Sequence, residues 1–576
     1  MKNSIYITIS FIFTLLACEE HFLEKPLGGD TNLDSIFTTS DKAISALSKA
    51  YSMNLAWGYP EKDWAPGNSG MNGFTLDELS GDDMSVFSWE SGYNVTHSGM
   101  EAVTDWNNNG SASCEDAYSF RWKGIRQAYL VIENIDRVTD MEPETKQQIK
   151  KEMKALIAFS YTQMFKRYGG VPLVHSTINI GDNNKIPRAT LQETLDFILN
   201  LCDEAKTLPN IYPDNLKGRL TKGAVLAIKA EALLFAARPL FNSDTPYLDL
   251  GENNKLICFC KENPDRWAEA AEAAKAVIDW AKNESGWCHL IDTDNPLDDY
   301  GTATSTPNNA EMILSYNVVS TSMSKCFDPH FWWVVSKGMT FRQLTQYHRS
   351  DGSDQTWAGT SARPFKEYVS KMNEMEPRFK ASCHAYTIDA WNNPGDSYWS
   401  AATLYYSQTN NSCAVNTKFW YKAGRRNWFY PPIYRLARIY LDLAEAYNES
   451  GHPDLALLYL NDIRDRAGLP LISETEKIPL RKLINRERRI ELYKENCSYF
   501  DYRHCKLAGT PDSPYGNMVS TFKYTYNSSN SGKVESDYKD YKVEPKYILY
   551  WSNNQFLYPF PQSEINKKYL IQNPGY

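Results

Sequence analysis

Apolar side chains recur every three or four residues over several stretches of this chain, and each such stretch predicts an amphipathic helix. Ala43, Ile44, Leu47, Ala50 and Tyr51 form the first stripe, with Asp41 placed to cap it. The period returns from Ser119 to Val138 and from Thr145 to Tyr168, where Gly169, Gly170 and then Pro172 mark a stop. Further helices are predicted at 190–207, 220–237 and 264–282, the last on WAEAAEAAKAVIDWA, whose small-residue faces let helices approach closely. The clearest pair lies at 434–467. Leu436, Ile439, Tyr440, Leu443 and Tyr447 make one stripe, Gly451 and Pro453 turn the chain, and Ala456, Tyr459, Leu460, Ile463 and Ala467 make the facing one, closed by Gly468 and Pro470. Two long stretches, 57–114 and 285–430, lose the period and fill with Gly, Asn, Ser and Asp. Loops of that length are functional or disordered, and the interleaved Trp64, Phe74, Trp89, Tyr93 and Trp106 argue against disorder in the first.

The chain starts differently. Lys2 precedes a short apolar run from Ile5 to Leu16, the layout of a secretory leader and too short for a membrane-spanning helix. Leu15-Leu16-Ala17-Cys18 resembles the bacterial lipobox, in which the cysteine sulfur takes a diacylglycerol and becomes the new N-terminus. A thiolate is suited to that alkylation. Long acyl chains, at ~0.8 kcal/mol per buried CH₂, then hold the protein at a membrane. Cys18 is thus the expected lipidation site, and residues 18–40 read as a tether.

Composition narrows the partners. A formal net charge of −9 over 576 residues excludes a surface that tracks nucleic-acid phosphates, because such binding draws on neutralising backbone charge. The 37 Tyr, 24 Phe and 16 Trp exceed what a core needs, so some rings are expected at the surface, where amphipathic Tyr and Trp bind ligands. Apart from Cys18, the cysteines are scattered. Cys258 and Cys260 stand too close for an ordinary zinc pair, and no His cluster completes a site. Asp292, Asp294, Asp298 and Asp299 suggest calcium, yet counting from Asp292 an EF-hand loop would have Leu297 where it needs glycine and Ala303 where it needs a carboxylate, so a solvated acidic loop is expected. No metalloprotease, nucleophile-elbow, phosphate-loop or dinucleotide motif is present. Asp77, Glu78, Asp82 and Asp83 supply carboxylates of the kind a glycosidase pairs. Glu487 falls on the apolar stripe of its helix, so it is expected to be buried and paired with Arg464 or Arg466.

The segments LAEAYNESGHPDLALLYLNDIRDRAGLP, LRKLINRERRIELYKENCSYFDYR and LYPFPQSEINKKYLIQNPGY resemble the SusD/RagB family of Bacteroidetes outer-membrane lipoproteins. So do IFTTSDKAISALSKAY, DELSGDD, KALIAFSYTQMFKRYGGVPLV and GRLTKGAVLAIKAEALLFAARPLFN, in the family's order and over nearly the whole chain. Ser498 departs from the arginine usual there. The resemblance implies a mostly α fold: a scaffold of four split, tetratricopeptide-like helix pairs with a loop-rich ligand-binding face. It divides the chain into a signal peptide at 1–17, a lipidated tether at 18–40 and a single domain at 41–576. Within that domain the scaffold is 41–56, 115–282 and 431–505, and the excursions are 57–114 and 285–430. It also implies a non-catalytic protein with no cofactor beyond the lipid on Cys18. Such a protein captures oligosaccharide at the cell surface and delivers it to a SusC-like TonB-dependent transporter. The alternatives are a peptide-binding RagB-like lid or a surface glycoside hydrolase using the acidic cluster near Asp82. Sugar rings need a flat aromatic platform with polar groups at its edge. The ligand-binding candidates are therefore Trp64, Trp89, Trp106, Asp82 and Asp83 in the first excursion, and Trp332, Trp333, Trp357, Trp391 and Trp399 in the second.

Overall fold

A computed structural model describes residues 33–55, 79–84, 91–101, 118–179, 181–182, 184–316, 338–385, 388–389, 412–421, 431–527 and 535–576. The leader and Cys18 lie outside them. The fold is mostly helical. Its first helices are α1 (Ser40–Leu55), α2 (Ser91–Ser98), α3 (Tyr118–Asn134), α4 (Pro143–Tyr168), α5 (Leu191–Ala205), α6 (Lys222–Ala237), α7 (Asp265–Asn283) and α8 (Pro296–Ser305). After them come α9 (Phe365–Asn373), α10 (Pro377–Ser382), α11 (Leu436–Glu449), α12 (Pro453–Arg466), α13 (Lys477–Glu491) and α14 (Ser498–His504). Four pairs build the scaffold: α1 with α3, α4 with α5, α6 with α7, and α11 with α12. Successive pairs meet through α3 and α4, α5 and α6, and α7 and α11. Among the described residues, no helix is long and apolar enough to cross a membrane.

Local chemistry sets the ends. Thr190 and Glu193 form a reciprocal capping box at the start of α5, with bonds of 3.2 and 2.8 Å. Gly169, at φ +79°, stops α4 in a conformation that L side chains rarely adopt. Alanines on the facing sides of α6 and α7 let the pair close, and a Cβ at Gly223 would lie 2.3 Å from the Trp280 ring. The eight helices of the four pairs fall within a few residues of the sequence expectation, whereas α2, α8, α9 and α10 lie in stretches read as irregular.

The structure departs from that expectation beyond the scaffold. The strands β4 (Met518–Tyr526) and β5 (Tyr538–Ile548) form an antiparallel hairpin with Tyr524 opposite Tyr541, and β2 (Arg363–Pro364) extends it. Phe365, Tyr368, Phe522, Tyr524 and Tyr541 pack beneath it with Ile490 and Tyr493 in a second apolar cluster. Part of the second excursion is thus folded core rather than irregular chain. The pair β1 (Met312–Ser315) and β3 (Pro432–Arg435) marks where that excursion leaves and rejoins the scaffold. The acidic loop is also built in. Buried Asp299 accepts hydrogen bonds from the Thr293 hydroxyl at 2.6 Å and the Thr293 N–H at 2.8 Å, and Asp298 accepts from the Tyr421 hydroxyl.

A buried ion lattice fastens the excursion to the scaffold. Glu487 pairs with Arg464 at 3.0 Å and with Arg378, whereas Arg466 pairs with Glu311 at 2.7 Å and with Glu491. Arg435 reaches Glu491 at 2.8 Å, Glu311 at 3.2 Å and Glu495 at 2.8 Å, and Lys418 reaches Glu495 at 2.6 Å. Burial alone would raise the Glu491 carboxyl, but Arg466, Arg435 and Arg378 outweigh it and hold the group well below its ordinary range.

Two buried histidines make stability depend on pH. Burial, with Arg486 adding to it, pushes His348 down to about 4, and burial holds His504 well below its ordinary value. Both are neutral in the fold at pH values where the unfolded chain, titrating near 6.5, already takes up protons. The unfolded state therefore binds more protons between those values, and stability rises with pH across the window. Denaturant unfolding at about pH 7 and about pH 5 is expected to differ by about 3–4 kcal/mol in that direction, about 2 kcal/mol for each ring. A flat profile would show that the two rings are solvated.

Candidate functional site

Three of the loop-rich segments are rooted at one place. The Met84 N–H donates to Gly338 O at 3.0 Å, and the Thr340 N–H donates to Asp82 O at 2.9 Å. Met339 completes the ladder, donating to Ala414 O and accepting from the Cys413 N–H, both at 2.8 Å. The chain enters 85–90 from Met84, returns from 317–337 at Gly338 and returns from 390–411 at Ser412. Trp89, then Trp332 and Trp333, then Trp391 and Trp399 belong to those three segments, so their stretches share a common root. These five, with Trp64 and Trp106, lie outside the described residues. The junction needs a glycine, because a Cβ at Gly338 would stand 2.2 Å from Ala414 O and 2.5 Å from Ser412 Oγ.

The remaining sequence candidates serve this junction or the core. Asp82 and Asp83 are both buried. Asp83 accepts from the Tyr493 hydroxyl at 2.5 Å and is ion-paired with Lys494, which fixes the root to the end of α13. Gly81, at φ +75° and packed on Pro514 and Leu549, with the Tyr515 hydroxyl bonded to Leu79 O at 2.7 Å, ties the same segment to the base of the hairpin. Trp357 is half-buried, its ring 5.5 Å from that of Phe522 over the second apolar cluster.

A partly exposed aromatic stack stands within the first excursion. Tyr93 and His97, one helical turn apart on α2, lie 3.7 Å apart with ring planes at 16°, and His97 continues to Tyr547 of β5 at 4.5 Å. All three rings are half-buried, and Tyr550 beyond them is 39 % exposed. The Tyr550 N–H bonded to Thr96 O at 2.8 Å seats the helix on the strand end. Burial lowers the His97 pKa, so its ring is neutral at pH 7. Its Nδ1 lies 2.9 Å from Tyr93 O; donating there leaves Nε2 as an acceptor. The facing sides of these rings cover one another, so what stays open is an outer ring face with phenol and imidazole edges, which suits a ring with C–H faces and a hydroxyl rim. Of its members only Tyr93 stands out in the sequence as an interleaved ring. The Tyr-x-x-x-His spacing is the signal for His97, and nothing local points to Tyr547.

The chain is similar to known proteins along its length. A sequence model described as the SusD family matches residues 281–576, and one described as starch-binding associating with outer membrane matches residues 62–234. A SusD-like protein of Formosa agariphila is 24% identical over 395 residues, 66% of this chain and 69% of the relative. A solved SusD-like protein from Bacteroides fragilis superposes with a TM-score of 0.68 at 22% identity, over 94% of this chain and 98% of that one. A solved laminarin binding SusD-like protein gives a TM-score of 0.57 at 17% identity, over 94% of this chain and 100% of that one. At these identities the structural likenesses carry the fold.

Proposed function

Since the chain belongs to the SusD family, we propose that it is a non-catalytic, surface-exposed glycan-binding lipoprotein that captures oligosaccharide and delivers it to a SusC-like TonB-dependent outer-membrane transporter. The observation that carries this reading is the half-exposed stack of Tyr93, His97 and Tyr547, whose outer ring face and polar edges suit a sugar ring. The starch-binding description matched over 62–234, a stretch that includes α2, supports it, as does the likeness to a laminarin binding protein. A hydrolase would need two carboxylates open to substrate and water, and Asp83 is buried against Lys494.

Titration of the purified protein with a glycan panel and a peptide panel tests the reading. Binding to at least one glycan is expected, weakened about tenfold by Tyr93→Ala; binding to peptides alone would overturn it. The anchor belongs to the same proposal. Growth with labelled palmitate is expected to label the protein through Cys18 and to leave Cys18→Ala unlabelled, and equal labelling of both would remove the lipid from the mechanism.

A further inference from the structure

A hollow of about 310 Å³ opens between the start of α7, the end of α11 and the middle of α13, on elements that contribute nothing to the ring stack. Its cations and two of its three carboxylates are already paired. The Glu449 carboxylate, 8 % exposed, is gripped by Arg481 through Nε and Nη2, each at 2.5 Å, and Lys477 donates to Glu449 O at 2.7 Å. Glu445 at the same wall is held by Arg238 at 2.9 and 2.7 Å. An incoming anion therefore finds no uncommitted cation. What remains open is polar and solvated. Among the described residues, Trp267, Asn485 and Glu262 line this hollow, and the indole N–H, side-chain amide and carboxylate they carry make no hydrogen bond to another protein group. The Trp267 ring itself is half-buried against the main core, which holds its position.

A half-buried indole beside an open amide, an open carboxylate and a paired guanidinium disfavours an anion and suits a ring whose faces are C–H and whose rim is hydroxyl. Each hydroxyl both donates and accepts, so one occupant can satisfy the indole N–H, the amide and the carboxylate together. A hollow near 300 Å³ is at the small end of ligand sites, which limits the occupant to one or two rings. From this geometry we infer that the hollow is a second saccharide site, for a mono- or disaccharide unit, separate from the ring stack. The inference deepens the glycan-binding reading and rests on it.

Hydrogen exchange of the full chain measures both sites in one experiment. The probes are maltose, cellobiose and laminaribiose, together with the longest oligosaccharide that binds in the glycan titration. At least one disaccharide is expected to slow exchange at 262–270 and 477–489. Trp267→Ala should shift the midpoint of that protection about tenfold upward and leave the response at 91–101 to the oligosaccharide unchanged. Asn485→Ala, at a partly exposed position that spares the core, should weaken the same protection. If 91–101 responds while 262–270 and 477–489 do not, or if their protection survives both substitutions, the second site is refuted and the glycan reading stands. If no saccharide protects any segment, both fall.

Discussion

Replacing Glu491 with glutamine is expected to lower folding stability by about 3–5 kcal/mol, the scale seen when one member of a buried ion cluster is removed. Charge counting explains the size. Arg378, Arg435, Arg464, Arg466 and Lys418 face Glu311, Glu376, Glu487, Glu491 and Glu495, five charges of each sign, all buried. Glu491 is the member shared by Arg378, Arg435 and Arg466, so its neutralisation leaves an unmatched positive charge that no solvent reaches. The substituted amide keeps the side chain's size, which separates the charge effect from packing. Because Arg378 comes from the second excursion and Arg466 from the last helix pair, the lattice holds inserted chain against scaffold. Unfolding in urea should accordingly lose its single transition as well as its midpoint. A change below about 1 kcal/mol would show that Glu311, Glu487 and Glu495 balance the guanidiniums without it.

The lattice also shows where sequence reading ends. Helical periodicity places Glu487 on a buried stripe and points to the arginines of the preceding helix, and Arg464 is indeed its partner. Arg466 goes instead to Glu311 and Glu491, and Glu487 takes Arg378 from 109 residues away, in a stretch with no readable period. A period reports which face of an element is buried, but not what arrives opposite it across a hundred residues. The helix pairs are legible for the same reason that the hairpin is not. Their stripes repeat over many turns, whereas the alternation along β4 is broken by register shifts at Val519/Ser520 and Thr525/Tyr526. The platform suffers most, since Tyr93 and His97 come from a two-turn helix inside an irregular stretch and Tyr547 from the unread hairpin.

Gly338→Ala is expected to weaken glycan binding by an order of magnitude or more while leaving the helix pairs folded. The new methyl group would stand 2.2 Å from Ala414 O and 2.7 Å from Ser412 Cβ, far inside van der Waals contact and against backbone on one side, so the strands of the root must move apart. Overpacking of this kind costs about 1–3 kcal/mol locally. That strain falls where the Met84 N–H bonds Gly338 O at 3.0 Å and Met339 bonds the Cys413 N–H and Ala414 O at 2.8 Å, the shared base of the segments carrying Trp89, Trp332, Trp333, Trp391 and Trp399. If the proposed glycan site draws on these three segments, displacing their shared base is expected to cost affinity, because a ligand held by several groups loses binding steeply when their placement shifts. Gly359→Ala is the control: no atom lies within 4 Å of its added Cβ, so neither binding nor melting should change. Circular dichroism should show unaltered helix content in both variants. If Gly338→Ala binds glycan as the parent does, the three segments act independently of their common root, and recognition rests on the Tyr93, His97 and Tyr547 stack alone.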